Sequence, residues 1–373
     1  MSPQFWLKKI SELNLSGSLN IMNVCGGHER TISSSAIRSL LPTNIKLIPG
    51  PGCPVCVCPE ESIKFAIKLS EQENIIVASF GDMLRVPINV GKKEINSLSA
   101  SRTQGNSVVA IASPMETLQL ALDHPKKIIV FFVAGFETTL APIVSLLEQG
   151  IPNNLKLIIA ARKTWPVVDT LLQSNDNPLD ALIAPGHVAS IMGSTEWDFL
   201  DKKYNKACAI AGFDDESLLA AIYSVCRQHV EDNHFLDNCY PSVVSMDGNP
   251  VAKSLIQKFF HIYKANWRGI GEIENSGFQL RREYQVWDAE YYFSDLWKSI
   301  LEHKNIQKKD MPPGCDCDQV VLGKIQPNQC RLFNKACTPS QPAGPCMVSD
   351  EGACHIWWKA GVHKIPIALP NEQ

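Results

Sequence analysis

The chain has 373 residues, 45% of them apolar, and a formal net charge of −3. That length accommodates two or three domains, and the apolar content excludes wholesale disorder. The nearly balanced charge leaves no electrostatic footprint for nucleic acid.

No uninterrupted apolar stretch follows the positive charges of the first ten residues, and the longest apolar runs, such as Ile128 to Ala134, are too short to cross a bilayer. A cytoplasmic location with no membrane partner is therefore expected. Thirteen cysteines in a reducing compartment point to metal or redox chemistry rather than a disulfide framework.

Between residues 19 and 215 short apolar runs alternate with helical patterns. The runs are Leu19–Val24, Ile45–Ile48, Ile75–Ser79, Val108–Ala112, Ile128–Val133, Leu157–Ala160, Ala181–Ile183 and Ala207–Ala211. Continuous rather than alternating apolar runs suit strands buried on both faces of a parallel sheet. Helix starts are marked too: Ser113-Pro114-Met115-Glu116 combines an N-cap serine, a proline at the first helical position and a capping-box glutamate. The pattern predicts an α/β fold with two doubly wound parallel-sheet (Rossmann-like) domains plus a small cysteine-rich domain. The expected division is residues 1–116, residues 117–260, and residues 261–373 as a helical segment leading into the cysteine-rich unit. Residues 216–300 read as mainly helical, with Trp267 to Gly271 as a loop.

In open α/β sheets ligands bind beyond the carboxyl ends of the strands. The turns expected there are Cys25-Gly-Gly-His-Glu29, Gly50-Pro-Gly-Cys-Pro-Val-Cys56, Phe80-Gly-Asp-Met-Leu-Arg85, Gly135-Phe-Glu-Thr-Thr139, Ala184-Pro-Gly-His187 and Gly212-Phe-Asp-Asp215. In the first, an imidazole three residues from a thiol can hold it as the thiolate, and Glu29 can orient His28 through its ring N–H. In the second, Cys53 and Cys56 form a CxxC that either closes a small disulfide ring or chelates metal, possible partners being Cys25 and His28. Cys58 is read as incidental. His187, Glu137 and Asp82 either line the cleft or serve the helix starts.

Six cysteines then fall between Cys315 and Cys354, in a proline-rich tract that cannot build a core of its own. Thiolates arriving from separated turns need one shared centre. Choosing Cys315, Cys330, Cys337 and Cys354 leaves 14, 6 and 16 intervening residues, which suits a 4Fe–4S cluster or zinc. Cys317 and Cys346 compete for the same role. Neither a Gly-x-Gly-x-x-Gly motif nor a P-loop occurs, so a nucleotide cofactor has no support.

Taken together, these motifs, with Phe80 to Pro87, Ala184 to Val188, Trp267-Arg-Gly269, Gly344 to Ser349 and Glu351-Gly-Ala-Cys354, resemble the HypD family of NiFe-hydrogenase maturation factors from about residue 19 to 358. The resemblance implies a scaffold, with redox steps, more than a turnover enzyme. With a small partner, HypC, it would hold the iron ion that receives two cyanides and one carbon monoxide. Cyanide would come by way of HypE, and the Fe(CN)2CO unit would pass to the hydrogenase large subunit. Cys25 would be the iron ligand and His28 its essential neighbour. Cys53 and Cys56 would be a redox-active thiol pair, and Cys315, Cys330, Cys337 and Cys354 would bind a 4Fe–4S cluster. Two positions depart from the family pattern. Cys58 replaces a usual threonine, placing an extra thiol where it could divert disulfide exchange, and Asp214-Asp215 replaces an acidic residue plus proline. The alternatives are a stand-alone iron–sulfur thiol–disulfide oxidoreductase and a zinc-stabilised binding protein.

Overall fold

All eight apolar runs become strands: β1 (Leu19–Asn23), β2 (Ile45–Pro49), β3 (Ile75–Phe80), β4 (Val108–Ile111), β5 (Ile128–Gly135), β6 (Leu155–Ala161), β7 (Ala181–Pro185) and β8 (Ala207–Ala211). The structure is a computed structural model and describes residues 2–361 except 92, 175, 176, 178 and 305–309. The last residues of the expected 261–373 unit lie outside the described residues. Interior strands such as β7 and β8 are buried along their whole length, whereas the edge strands β2 and β4 are not. The capping box at Ser113 also forms, with Glu116 accepting from the Ser113 N–H at 2.8 Å.

Two parallel sheets result. One has the order β2-β1-β7-β8-β9, with β9 being Leu236–Asn238; the other has the order β4-β3-β5-β6. The strands are not shared out in sequence order. The chain lays down β1 and β2, builds the whole second sheet, and then returns to complete the first. A boundary near residue 116 would fall between β4 and β5, which flank β3 in the same sheet. The physical reason is that apolar periodicity reports how a strand is buried and carries no record of which strand it pairs with. One apolar core runs from Met22 and Val24 of the first sheet through Val77, Val130 and Ile158 of the second, and on into Val320, Met347 and Trp357.

Residues 216–300 are less helical than expected. After the helices Asp215–Glu231 and Pro250–Phe259, the strands β10 (Phe260–Trp267) and β11 (Gly271–Leu280) form an antiparallel hairpin with an irregularity between Tyr263 and Ala265. Trp267 to Gly271 is its turn. The cysteine-rich unit contributes short helices at Cys317–Val321, Pro345–Val348 and Ala353–Lys359 and packs onto both sheets. Arg85 donates to Val348 O at 3.0 Å, Ser349 to Asp82 at 3.1 Å and Trp357 to Glu29 at 2.6 Å.

Candidate functional site

Because β1, β2, β7 and β8 are neighbours, their carboxyl ends bring four of the special turns together. Cys25 follows β1 and is the N-cap of the helix Gly26–Ser34. The backbone N–H groups of Gly27 and His28 approach its sulfur, as the orphan donors of a helix start do. Burial, followed by repulsion from the Glu351 carboxylate, nevertheless pushes the Cys25 thiol up to about 11. The expectation that the His28 imidazole holds Cys25 as thiolate is therefore corrected. Burial favours the thiol form of Cys25 over the thiolate.

The imidazole faces elsewhere. His28 Nε2 lies 3.1 Å from Ala211 O at the end of β8, and the ring stacks on Phe213 at 4.9 Å. Phe213 in turn stacks on His187 at 3.7 Å. His28 Nδ1 is buried without a hydrogen-bond partner among the described residues. Burial, opposed by the hydrogen bond to Ala211, lowers His28 to about 4. With the unfolded imidazole at about 6.5, the unfolded chain binds the extra proton between those values, so His28 weakens stability as pH falls from 6.5 towards 4. We expect wild type to lose about 3 kcal/mol more than His28→Gln over that interval, read as the difference between their urea-unfolding free energies at each pH. Equal pH slopes would sink this assignment.

Glu29 does not orient His28 either. Its buried carboxylate accepts from Asn23 Nδ2 at 3.1 Å, Ser33 Oγ at 3.2 Å, Arg38 Nη2 at 2.7 Å and Trp357 Nε1 at 2.6 Å. Its work is to tie the Cys25 helix to the cysteine-rich unit.

Close backbone approach accounts for two glycines. A Cβ on Gly52 would run into the backbone of Cys25, and one on Gly26 into Glu351. The turn after β2 therefore lies directly on Cys25, and Gly26 N–H donates to Gly52 O at 3.3 Å. Cys53 and Cys56 are joined by a disulfide, with Cys53 capping the short helix Pro54–Val57. In this state their sulfurs are bonded to each other and His28 is turned away, so the alternative of a zinc site shared with Cys25 and His28 does not arise. Cys58 is fully buried on another side, near Arg162 and Arg268, and burial pushes it up to about 12. An inaccessible, protonated thiol does not compete in disulfide exchange.

Cys25, Cys53, Cys56, Cys346 and Glu351 line one cavity. A second cavity is lined by all six C-terminal cysteines, with Phe333 and Met347 completing an apolar wall. Cys346 belongs to both. Hydrogen bonds between thiols link Cys315 to Cys317, Cys317 to Cys346, and Cys346 to Cys354. Gly344 adds to the cradle, because a side chain there would meet the Cys315 sulfur at 2.6 Å. Among the described residues, no three His, Cys, Asp or Glu side chains are arranged to hold a metal ion. The six thiols surround a space rather than a point.

Cys315, Cys330, Cys337 and Cys354 all line this cavity, and so do Cys317 and Cys346. His187 joins the site through Phe213. Glu137 does not: it is buried under the second sheet's edge, accepting from Thr164 N at 2.8 Å and Thr164 Oγ1 at 2.6 Å. Asp82 caps its own turn and receives Ser349. The places of Phe213, Glu351 and Cys346 were not foreseen. A signal for Cys346 existed: Pro345-Cys346 opens a one-turn helix much as Pro54-Val-Cys56 does, and those two short helices pack together.

Comparison with known proteins matches the chain to the HypD family, described as the hydrogenase formation hypA family, over residues 3–361. It is 35% identical over 350 residues to hydrogenase maturation factor HypD2 of Bradyrhizobium diazoefficiens, covering 91% of this chain and 89% of the relative. A putative hydrogenase expression/formation protein of Methanocaldococcus jannaschii is 38% identical over 347 residues, 91% of this chain and 92% of the relative. Hydrogenase maturation factor HypD of Escherichia coli is 35% identical over 345 residues, 91% of this chain and 89% of the relative.

Proposed function

The chain belongs to the HypD family of hydrogenase maturation factors, and from that premise we propose that it is the scaffold on which the Fe(CN)2CO unit of a NiFe-hydrogenase is assembled together with HypC. The observation that carries this reading is the shared wall. Cys25 and the Cys53–Cys56 disulfide line one cavity, the C-terminal cysteines line another, and Cys346 faces both. In this reading iron is cargo. Cys25 supplies one soft thiolate from a rigid strand end, a ligand type suited to iron, and HypC supplies its counterpart. His28, buried and stacked on Phe213, supports the helix that begins at Cys25.

The six-thiol cradle fits a 4Fe–4S cluster, with Cys315, Cys330, Cys337 and Cys354 as the residues that would hold it. Bound there, a cluster supplies electrons for the thiol chemistry. Cys53 and Cys56 take up two electrons and two protons when their disulfide opens. Cys346 stands between that disulfide and the cluster thiols, as a wall of both cavities. HypE is the expected cyanide donor, and the hydrogenase large subunit receives the product. Among the described residues no helix is long and apolar enough to cross a membrane.

The test is infrared spectroscopy of the chain isolated anaerobically with HypC. Nitrile and carbonyl stretches are expected in wild type and lost in Cys25→Ala. Persistence of both bands in Cys25→Ala would remove Cys25 from the iron. If Cys25→Ala retains hydrogenase maturation while Cys53→Ala abolishes it, the protein is a thiol–disulfide oxidoreductase instead.

A further inference from the structure

Nothing in that reading uses the hairpin, yet its turn carries an unusual group. Trp267-Arg268-Gly269 closes β10, and the side chain of Arg268 is fully buried. Its backbone N–H donates to Val57 O at 3.1 Å, one residue beyond Cys56. Its guanidinium donates through Nε to Asp310 O at 3.1 Å and through Nη2 to Pro87 O at 2.7 Å. Nη1 has no hydrogen-bond partner among the described residues. Gly269, at φ +72°, packs on Met311 and Asp318, on either side of Cys315 in the chain. Arg268 therefore stands between the CxxC turn and the start of the cysteine-rich unit.

Carbonyl oxygens satisfy donors without neutralising charge, and a guanidinium does not give up its proton. The acid in ion-pair reach is Glu60, at 3.7 Å, whose carboxylate also accepts the Asn89 N–H. Burial, offset by Arg268, raises Glu60 to about 7. Compensation of the cation is thus incomplete near neutral pH. Burying a cation in this way is costly unless something nearby rewards it. Through Asp310 and the packing of Gly269 on Met311 and Asp318, the cation is fixed beside the segment that carries Cys315.

We propose that Arg268 is a positioning residue for electron transfer: a fixed buried cation that favours the added negative charge when a cluster held by Cys315 and its companions accepts an electron. This inference rests on the cluster reading above. Reduction adds one electron and no proton, so the full charge change falls within the cation's field. Net charge near a cluster is among the determinants of its potential. Glu60 acts in the opposite sense, which gives the proposal a sign that a merely structural clamp lacks.

The test uses the full chain, with its cluster reconstituted anaerobically and titrated against dithionite through redox mediators, followed by visible absorption and electron paramagnetic resonance. At the wild-type midpoint potential, Arg268→Gln is expected to show at least a tenfold lower ratio of reduced to oxidised cluster, a shift of about 59 mV for a one-electron couple. Arg268→Lys should stay near wild type, and Glu60→Gln should shift towards easier reduction. Thermal unfolding of each variant separates loss of fold from loss of charge. If wild type takes up no cluster, the cluster reading itself falls. If wild type takes it up and both Arg268→Gln and Glu60→Gln titrate with it, the inference is overturned and Arg268 is a clamp. Should Arg268→Gln fail to fold, Glu60→Gln decides alone: no shift towards easier reduction overturns the proposal.

Discussion

Glu29→Ala should destabilise the protein by about 3 kcal/mol and detach the cysteine-rich unit from the Cys25 helix. The carboxylate is 2% exposed and serves four donors at once, three of them on other elements. Arg38, whose guanidinium also lies 4.8 Å from the Trp357 ring, would lose its counter-ion. The Trp357 N–H would be left buried without an acceptor. Removing one partner of a buried charged network costs more than the pair was worth, because the abandoned groups stay desolvated. Urea unfolding gives the stability, and the rate at which a thiol reagent reaches the C-terminal cysteines gives the detachment. Glu29→Gln keeps an oxygen acceptor for Trp357 and loses only the charge, so it should cost less, about 1–2 kcal/mol. A Glu29→Ala protein as stable as wild type, with equally protected cysteines, would show that the unit is held by its apolar contacts alone.

Cys346→Ala should abolish hydrogenase maturation as completely as Cys53→Ala, while the visible absorption of a reconstituted cluster survives. The reasoning is geometric. Cys346 is a wall of both cavities, hydrogen-bonded to Cys317 on one side and Cys354 on the other. Cys315, Cys330, Cys337 and Cys354 remain to hold a cluster, and removing one sulfur from a site already surrounded by sulfur leaves the cradle standing. What is lost is the sulfur between the cluster thiols and the Cys53–Cys56 disulfide. The readout is the amount of free thiol at Cys53 and Cys56 after the cluster has been reduced, by alkylation and mass measurement. Absorption lost together with maturation would make Cys346 a ligand. Maturation retained would place the electron path elsewhere.

Much of this molecule was legible before folding. The eight strands were visible because each is a run of apolar residues long enough to cross a buried sheet, and the reactive turns were visible because they follow those runs at once. The cysteine-rich tail stood out through its lack of apolar periodicity. The hairpin was missed because Phe260 to Trp267 is only partly alternating, and an irregularity at Tyr263 interrupts its period. The pairing of chemistry with partners also failed to show. His28 and Glu29 sit beside Cys25 in the chain, yet their partners come from distant segments, which no local spacing records. His28 meets Phe213 and Ala211, and Glu29 meets Trp357, across separations of 183 residues to Ala211 and 328 to Trp357.

By itself the linear chain determined the fold class, the cysteines that matter and the strand ends that carry them, since these follow from local periodicity and residue type. Only the tertiary structure decided which strands share a sheet, that Cys346 is common to two cavities, and that burial raises the Cys25 thiol. Those outcomes depend on long-range pairing and on burial, and neither quantity is a property of any short stretch of sequence.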